Sequence, residues 1–255
     1  MPGGEPLLSV RIQEKRFREP SSGAARDVLQ DVAFTAGPGE ILALFGPSGT
    51  GKTTTLRIVL GLDRDFAGEV RPPAGRFGTV FQEPLLLPWL TVADNIRLVT
   101  LPGDPAPDAD ALLNEVGLPG TGGRMPRELS LGMARRAALA RALAVSPRLL
   151  VLDEPFASLD AGLGAQLARV VARRARQDRV LVLLATHDLD QALAIADRVL
   201  VLHGQPATLA ADLAVPHGDE GMARLQDELR RRFPFLATHR HRGAATHGPV
   251  RRNRL

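Results

Sequence analysis

Residues 41–53 read ILALFGPSGTGKT, and this stretch decides the fold. Its first five residues are all apolar, as in a short strand that is buried on both faces of a sheet. The next eight, Gly46–Thr53, match the pattern G-x-x-x-x-G-K-[ST] in full. From Lys52 to about Leu60 the sequence favours a helix. A strand, a glycine-rich loop and a helix in this order are the structural context of a phosphate-binding loop, and they disfavour the alternative of a chance turn.

The residue types of this loop suit a bound nucleotide. Glycines let backbone N–H groups turn towards an anion, because no side chain blocks the approach. The helix that follows adds the positive end of its dipole. Lys52 would place its charge on the β and γ phosphates, and the hydroxyl of Thr53 would bind Mg²⁺. The nucleotide-binding residues predicted here are Gly46, Pro47, Ser48, Gly49, Thr50, Gly51, Lys52, Thr53 and Thr54.

A second apolar strand ends in two acids. Leu149–Leu152 is followed directly by Asp153 and Glu154. At this position Asp153 is suited to hold Mg²⁺ through its water shell. Glu154 is suited to act in catalysis, by polarising a water molecule for attack on the γ phosphate. The alternative is a solvated pair of acids, which the phosphate loop earlier in the chain makes the weaker interpretation.

Strands and helices alternate along most of the chain, which predicts an α/β fold with a parallel sheet. Further strands are predicted at Leu7–Ile12, Val28–Phe34, Gly78–Phe81, Val180–Ala185 and Val199–Leu202. Further helices are predicted at Val92–Val99, Ala109–Val116, Met133–Val145, Ala161–Gln177 and Glu220–Phe233. We predict one domain over residues 7–236, with a helical insertion over about residues 84–145, and a basic, disordered tail over residues 237–255.

Bulk composition limits the possible environments of the chain. Of its 255 residues 44% are hydrophobic, and none is cysteine, so disulfides and thiolate metal sites are excluded. No signal peptide is evident, and no apolar run approaches the ~20 residues of a membrane helix. We therefore expect a cytosolic, soluble protein that contacts a membrane only through a partner. The net charge of +4 is spread along the sequence, which favours a solvated surface over a nucleic-acid interface.

Four further motifs stand in the order and spacing of one family. They are Gln82 in Val80–Glu83, the LSLGM motif at Leu129–Met133, the SLD motif at Ser158–Asp160, and His187 in Ala185–Asp188. Together with the phosphate loop and the two acids, they make residues 7–205 resemble the ABC ATPases. This resemblance implies a P-loop NTPase fold with a RecA-like core sheet, an antiparallel β subdomain and a helical subdomain. It also implies that ATP and Mg²⁺ bind and that ATP is hydrolysed.

The resemblance implies a role for each motif. Gln82 would contact Mg²⁺ and the attacking water, and His187 would act in catalysis by contacting the γ phosphate. Ser130, Gly132 and Asp160 would bind the nucleotide held by a second copy, so that two chains enclose two ATP molecules. The structural alternatives are a surface amide for Gln82 and a structural histidine for His187. For Ser130 and Asp160 the alternative is a helix N-cap, and at Ser130 both roles can hold together.

The chain departs from the family in two places. The signature motif usually has two glycines after its serine, and Leu131 occupies the first of these positions. The backbone donors remain, but Leu131 would change the approach to phosphate or the rate of closure. The chain also contains no tyrosine, so another aromatic must stack on adenine, and we predict Phe17 for this role. The alternative for Phe17 is an ordinary surface or core position.

The residues around Gln82 indicate a subgroup of the family. Phe81–Asn95 reads FQEPLLLPWLTVADN, which resembles the importers of nitrate, sulfonates, taurine and related small anions. The partners implied are a transmembrane permease, which would hold the chain at the inner face of the cell membrane, and a solute-binding protein outside. Trp89 and its neighbouring leucines suit a coupling helix of the permease. Alternatively, they form the core of the helical segment.

Three other functions stay open on sequence alone. An ABC ATPase of the non-transport type would act on DNA or ribosomes. Such proteins usually carry a second cassette or a long coiled-coil insertion, which this chain lacks, so nucleic acid is not an expected partner. A binding-only subunit would close on ATP without hydrolysing it because of Leu131. An exporter subunit for lipids or drugs is the third alternative.

Overall fold

The computed structural model describes residues 7–18, 24–101, 103–157, 159–216 and 218–233. The predicted tail at residues 237–255 and Ser158 of the SLD motif lie outside these ranges. The chain divides into two compact units, one ending at Val215 and the other beginning at Pro216. The sheet described below belongs to the first unit.

The strands found in the described residues are β1 (Leu8–Arg18), β2 (Ala25–Ala36), β3 (Ile41–Phe45), β4 (Ala67–Arg71), β5 (Phe77–Val80), β6 (Leu149–Asp153), β7 (Leu181–Thr186), β8 (Arg198–Gly204) and β9 (Ala207–Ala214). They form one nine-stranded sheet in the order β4-β1-β2-β9-β8-β3-β7-β6-β5. The run from β8 to β5 is parallel. The parallel α/β core predicted from the alternation of strands and helices is therefore confirmed.

The central strands bring the predicted site residues to one edge of the sheet. Every residue of β3, β6 and β7 is buried, which explains why these segments are unbroken apolar runs. Phe45 pairs with Thr186, and Asp153 pairs with Ala185, so the three strands end at the same level. Their carboxyl ends lead into the phosphate loop, the two acids and His187, at the edge where open α/β sheets bind ligands.

The other side of the sheet is mostly antiparallel. β1 pairs with β2 and with β4 in this way, and β2 joins the rest of the sheet through a parallel contact between Leu29 and Ala207. The antiparallel β region expected from the family resemblance is thus present, hydrogen-bonded into the same sheet as the core. Sequence patterns miss β4 and β9. The residues of β4 are almost all exposed, and β9 is rich in alanine, which has a low preference for strands.

The described residues contain seven α-helices: α1 (Lys52–Val59), α2 (Val92–Arg97), α3 (Ala109–Glu115), α4 (Leu131–Ala144), α5 (Ala161–Asp178), α6 (Leu189–Ile195) and α7 (Asp219–Arg232). A short 3-10 helix at Pro126–Glu128 precedes α4. α4 begins two residues before its predicted start at Met133, because Ser130 acts as its N-cap. α6 was not predicted, since seven residues are too few to establish a helical period. None of these helices is both long and apolar enough to cross a bilayer.

Helices α2, α3 and α4 lie in the sequence between β5 and β6, and α4 packs against the other two and against β5. The buried Asn95 lies within α2, and its side chain holds the loop that precedes this helix. Its Oδ1 accepts the N–H of Leu87 at 2.7 Å, and its Nδ2 donates to the carbonyl oxygens of Leu87, Leu90 and Thr91. The domain limits, including a helical subdomain over about residues 84–145, stay a prediction.

The second unit contains α7. Arg230, Arg231 and Arg232 form its last turn, where positive charge is favourable at the negative end of the helix dipole. The guanidinium carbon of Arg232 lies 5.5 Å from the centroid of the Phe233 ring, a cation–π distance. The helix predicted near Glu220–Phe233 is confirmed with a shift of one residue at each end.

Candidate active site

Close backbone contacts shape the loop between β3 and α1. A Cβ atom on Gly46 would lie 2.4 Å from the carbonyl oxygen of Leu202 in β8, so any larger residue would displace the sheet. Gly51 has a φ of +82°, which glycine adopts without strain. A Cβ atom on Gly51 would also lie 2.6 Å from Cδ2 of Leu29. Both glycines are therefore required by the geometry of this loop.

The middle of the loop is open to solvent. Ser48 and Gly49 are exposed, and Pro47 is half-buried. Thr50 is buried, and its hydroxyl donates to the carbonyl oxygen of Pro47 at 2.8 Å, which closes the loop on itself. Thr54 follows in the first turn of α1 and is half-buried. The predicted nucleotide-binding residues 46–54 therefore form one short turn whose rim is accessible.

Lys52, the first residue of α1, is only 7% exposed. Its Nζ donates to the carbonyl oxygens of Gly46 at 2.7 Å and Pro47 at 2.9 Å. Burial lowers the pKa of Lys52, and the charges of Glu154 and Asp153 oppose this effect. No side chain of the described residues caps α1 at this end, and its first turn carries no acid. A buried cation beside uncapped backbone N–H groups is an arrangement that binds phosphate.

Thr53 and Asp153 form the part of the site that fits a metal ion. The hydroxyl of Thr53 donates to Oδ2 of Asp153 at 2.7 Å, and Asp153 is 4% exposed. Burial is the main cause that raises the pKa of Asp153, and the charge of Glu154 adds to it, against the Thr53 hydrogen bond and the charge of Lys52. A hydroxyl and a carboxylate oxygen are hard ligands of the kind that Mg²⁺ prefers. These two residues therefore fit the predicted Mg²⁺.

The number of protein ligands at this site also fits Mg²⁺. No group of three or more His, Cys, Asp or Glu side chains comes together as a metal cage in the described ranges. Mg²⁺ at nucleotide sites is usually held by one or two protein oxygens together with phosphates and water. Thr53 and Asp153 match this mode of binding.

Glu154 and His187 meet at the carboxyl edge of the sheet. Nδ1 of His187 donates to Oε1 of Glu154 at 2.7 Å, and the hydroxyl of Thr186 donates to Oε2 at 3.4 Å. Glu154 has a φ of +50°, a conformation uncommon for a residue with a side chain. Its backbone N–H is held by the carbonyl oxygen of Ala185 at 2.9 Å. The carboxylate is thus oriented by two neighbours on the adjacent strand end.

Gln82 lies just beyond β5, on the same edge of the sheet, and its residue is exposed. Its carbonyl oxygen accepts a hydrogen bond from Nε of Arg135 at 3.4 Å. The same buried guanidinium donates to the carbonyl oxygen of Ala157, next to the SLD motif. Sequence reasoning missed Arg135. The arginine-rich sequence of α4 gives no signal that separates a buried guanidinium from a solvated one.

The LSLGM motif forms the start of α4. Ser130 is the N-cap, and its hydroxyl accepts the N–H of Met133 at 3.2 Å. Leu131 is 55% exposed in the first turn of the helix. A Cβ atom on Gly132 would lie 3.2 Å from Cδ2 of Leu159, so this glycine lets α4 approach the SLD motif closely. The structural alternative for Ser130, an N-cap, is therefore observed, and its contact with a nucleotide stays a prediction.

Asp160 caps α5 in the same manner. Its Oδ1 accepts the N–H of Leu163 at 2.9 Å. The phosphate-loop group comprises Lys52, Thr53, Asp153, Glu154 and His187, whose hydrogen bonds given above run among the loop and the strand ends. Ser130 and Asp160 instead cap the helices that follow them. The roles of all these residues in binding and catalysis stay predictions.

Phe17, the predicted adenine-stacking residue, lies near the end of β1. It pairs with Arg26 across β1 and β2, and it is 43% exposed. Nζ of Lys15 lies 4.5 Å from the centroid of its ring. Phe17 is thus an exposed aromatic with a defined neighbour, and its contact with adenine stays a prediction.

Comparison with known proteins identifies close relatives. A family model described as ABC transporter matches residues 29–157. The chain is 42% identical over 245 residues to an aliphatic sulfonates import ATP-binding protein, SsuB 2, of Burkholderia cenocepacia (strain HI2424), which covers 93% of this chain and 86% of the relative. It is 45% identical over 202 residues to SsuB 1 of Pseudomonas aeruginosa (strain UCBPP-PA14), covering 74% and 81%.

Solved structures agree on the fold. The post-hydrolysis dimer of the ATP-binding cassette MJ0796 with ADP and Pi is similar with a TM-score of 0.75 and 24% identity. The match covers 83% of this chain and 100% of that one. These similarities confirm the P-loop NTPase fold and the resemblance to the nitrate, sulfonate and taurine group.

Proposed function

This chain belongs to the ABC transporter family and is an ATP-hydrolysing subunit of an importer, and we propose that the solute it imports is an aliphatic sulfonate. We propose further that it works as a pair of copies docked on a membrane permease. The observation that carries the proposal is 42% identity, over 93% of the chain, to a relative named for the import of aliphatic sulfonates. The geometry of the site supports the part of the proposal that concerns ATP.

The phosphate-loop group binds ATP. The N–H groups at the start of α1 donate to the phosphate oxygens, and Lys52 places its charge between the β and γ phosphates. The contacts of Lys52 with loop carbonyl oxygens keep its Nζ at the centre of this turn. Thr53 and Asp153 would hold Mg²⁺, which would neutralise the charge that develops on the phosphates.

Glu154 is the general base. It takes a proton from a water molecule while the water oxygen forms its bond to the γ phosphorus and the bond to the ADP oxygen breaks. His187 and Thr186 keep its carboxylate pointed along the edge of the sheet. Gln82 lies two residues beyond β5, and from there its side chain would contact the attacking water or the metal ion. His187 also contacts the γ phosphate, in line with its position after β7.

Two copies of the chain enclose two ATP molecules. In this pair, the Ser130 end of α4 in one chain completes the phosphate loop of the other. The solved structure of MJ0796, to which the fold is similar, is dimeric. The exposed Leu131 lies in the first turn of α4, next to the γ phosphate in this arrangement, and sets how closely the helix approaches.

The segment after Gln82 docks on the permease. Trp89 is 69% exposed, and Leu85 in the same segment is 55% exposed. This apolar surface is held in place, since Arg141 donates to the carbonyl oxygens of Pro84 and Leu85 and Asn95 fixes the loop that carries Trp89. An apolar surface whose backbone is held by hydrogen bonds suits the binding of a coupling helix of the permease. The permease would place the chain at the inner face of the membrane, opposite a solute-binding protein.

The variant Glu154→Gln tests the ATPase. The amide keeps the size of the carboxylate but cannot accept the proton, so phosphate release should fall by about 10²–10⁴-fold. An ATP-dependent dimer should accumulate on size-exclusion chromatography. Glu69→Gln, at an exposed position on the edge strand β4, is the matched control and should keep the wild-type rate. Wild-type turnover in Glu154→Gln would remove Glu154 from its role.

Two further measurements test the rest of the proposal. Steady phosphate release by the unmodified chain excludes a binding-only subunit, and its absence would support one. The chain would be copurified with its permease and reconstituted in vesicles. These vesicles should take up a short alkanesulfonate when ATP is supplied. Uptake of nitrate or sulfate without the alkanesulfonate would overturn the proposed solute and leave the ATPase standing.

A further inference from the structure

Lys15 is a buried charge that the phosphate chemistry does not use. It lies on β1 opposite Leu29 and is 2% exposed. Its Nζ donates to Oδ1 of Asp63 at 2.8 Å and to the carbonyl oxygen of Asp65 at 2.6 Å, both in the loop after α1. Replacing a buried ion pair by apolar residues is often neutral or stabilising. Stability of the fold therefore does not by itself account for this charge.

An irregularity in β1 turns Lys15 inward. Up to Ile12 the even-numbered residues of β1 are buried, whereas Lys15 is odd-numbered. The pairing of β1 with β4 shifts between Ile12 and Glu14, which moves the alternation by one residue. Without this shift Lys15 would face solvent. The pairing of β1 with β2 shifts again between Lys15 and Arg16, and the Lys15 ammonium lies over the Phe17 ring.

The ring of Phe17 covers the ammonium group. Nζ of Lys15 lies 4.5 Å from the ring centroid, within cation–π range. Phe17 is nevertheless 43% exposed, so part of this side chain is accessible to a ligand. An exposed phenylalanine held this way is a flat, oriented apolar surface. Such surfaces stack on nucleobases, whatever the base, since every base has a π face.

This surface belongs to strands that abut the phosphate loop. Phe17 pairs with Arg26, two residues before Val28 in β2. A Cβ atom on Gly51 would lie 3.2 Å from Cγ1 of Val28, so β2 packs directly on the last glycine of the loop. The base of a nucleotide whose phosphates lie on residues 46–53 can therefore reach the strand end that carries Phe17.

We propose that Lys15 is a positioning residue for the base of the bound nucleotide, which fixes the orientation of the Phe17 ring and polarises it for stacking on adenine. The inference rests on the proposed function, because it takes ATP as the ligand of the phosphate loop. A cation on one face draws π density towards itself, which makes the other face more complementary to an electron-rich purine. A phenyl ring has no hydroxyl to fix its orientation, and the Lys15 ammonium supplies that constraint.

A double-mutant cycle on the full chain tests this proposal. Isothermal titration would measure the Kd of ATP and of inorganic tripolyphosphate, which has no base. Phe17→Leu should raise the Kd of ATP by about tenfold through lost stacking. Lys15→Met should raise it by about fivefold through the lost cation–π contact. The Kd of tripolyphosphate should change by less than about twofold in both variants, since the phosphate contacts are retained.

The decisive comparison is Lys15→Met in the Phe17→Leu background. If Lys15 acts through the ring, the second substitution should change the Kd of ATP by less than about twofold. A full effect of Lys15→Met in that background would overturn the proposal. So would an equal change for ATP and tripolyphosphate, which would make Lys15 only a brace between β1 and the loop after α1.

Two further variants keep the test interpretable. Lys15→Arg keeps a cation under the ring and should bind ATP within about twofold of the unmodified chain. ATP binding as weak as in Lys15→Met would count against the cation. If Lys15→Met does not fold, Lys15→Met with Asp63→Asn removes the buried ion pair as a unit and is used instead. The carboxylate of Asp65, whose Oδ2 lies 3.6 Å from Nζ, is exposed to solvent and is left in place. Unchanged ATP binding by Phe17→Leu would overturn the stacking surface, whereas the proposed ATPase would fail only if phosphate release were absent.

Discussion

The N-termini of α1 and α4 are both proposed to contact phosphate, yet they are built differently. α1 follows Gly51 and is capped by no side chain of the described residues, and the buried Lys52 is its first residue. α4 follows Ser130, whose hydroxyl already accepts the N–H of Met133. Neither helix carries an acid in its first turn. One helix end therefore keeps its donors for a ligand, and the other has satisfied one of them within the chain.

This difference implies an order of events. The α1 end combines open donors with a cation, and we propose that it binds a nucleotide in a single copy. The α4 end is capped by Ser130, and in the proposed pair it would contribute when a second copy brings a nucleotide to it. The affinity for a nucleotide should then depend on the start of α1. The ATP-driven pairing of two copies should depend on the start of α4.

The largest expected effect is at the α1 end. Lys52→Met should raise the Kd of ATP by about 10–100-fold, since a hydrogen bond to a charged group contributes about 1.5–3 kcal/mol. Thermal stability should not fall, because methionine removes the cost of burying a charge whose pKa burial already lowers. Titration calorimetry and thermal melts measure both. Arg57→Met, at an exposed position in the last turn of α1, is the control. Unchanged ATP binding in Lys52→Met would contradict the comparison.

A smaller effect is expected at the α4 end. Ser130→Ala should lower the free energy of unfolding by about 1 kcal/mol through loss of the cap. ATP should bind a single copy as before, whereas ATP-driven dimer formation, measured by analytical ultracentrifugation with Glu154→Gln as background, should weaken by about tenfold.

Ser130→Asp separates capping from phosphate contact. Aspartate caps a helix as well as serine does, so stability should return to that of the unmodified chain. Its negative charge would face the phosphate of the second copy, so dimer formation should stay weak. Restored dimer formation in Ser130→Asp would mean that Ser130 acts only as an N-cap, and the proposed contact would be lost.

The same comparison shows what sequence can predict. The α1 end was predicted in position and type because its signals are local: an apolar strand, a loop pattern and a helix in direct succession. The start of α4 was placed two residues late, because the exposed Leu131 and the small Gly132 give no apolar period at the first turn. β3, β6 and β7 were found because burial on both faces leaves unbroken apolar runs.

Features that depend on distant residues could not be predicted. Thr53 and Asp153 are 100 residues apart in sequence, and their hydrogen bond follows only from the neighbouring positions of β3, β7 and β6 in the sheet. Arg135 is buried where the segments that carry Gln82 and Ala157 meet α4. Lys15 is buried because a shift in the pairing of β1 turns it inward. None of these contacts can be predicted from the local sequence pattern.

The attachment of α4 differs from that of α1 as well. α1 packs on β6 and β7, whereas α4 packs on β5 and also on α2 and α3. In turn, α3 is tied to α5 through ion pairs of Glu115 with Arg173 and Arg174. Glu115, the last residue of α3, accepts hydrogen bonds from Arg173 at 2.7 Å and from Nε of Arg174 at 2.9 Å. Partial burial opposes ionisation of Glu115, but the hydrogen bonds and charges of both arginines outweigh it and lower its pKa.

The smallest expected effect is the loss of this ion pair. A carboxylate whose pKa is lowered by folding stabilises the fold above its unfolded pKa, and this contribution fades as pH falls through the folded pKa. Glu115→Gln should therefore lower the free energy of unfolding by about 0.5–1 kcal/mol at pH 7, and the difference should shrink below about pH 4.5. Urea titrations across this pH range measure it, with Asp178→Asn, at the exposed partner of Arg174, as the control. A difference that did not depend on pH would show that Glu115 holds α3 by packing rather than by charge.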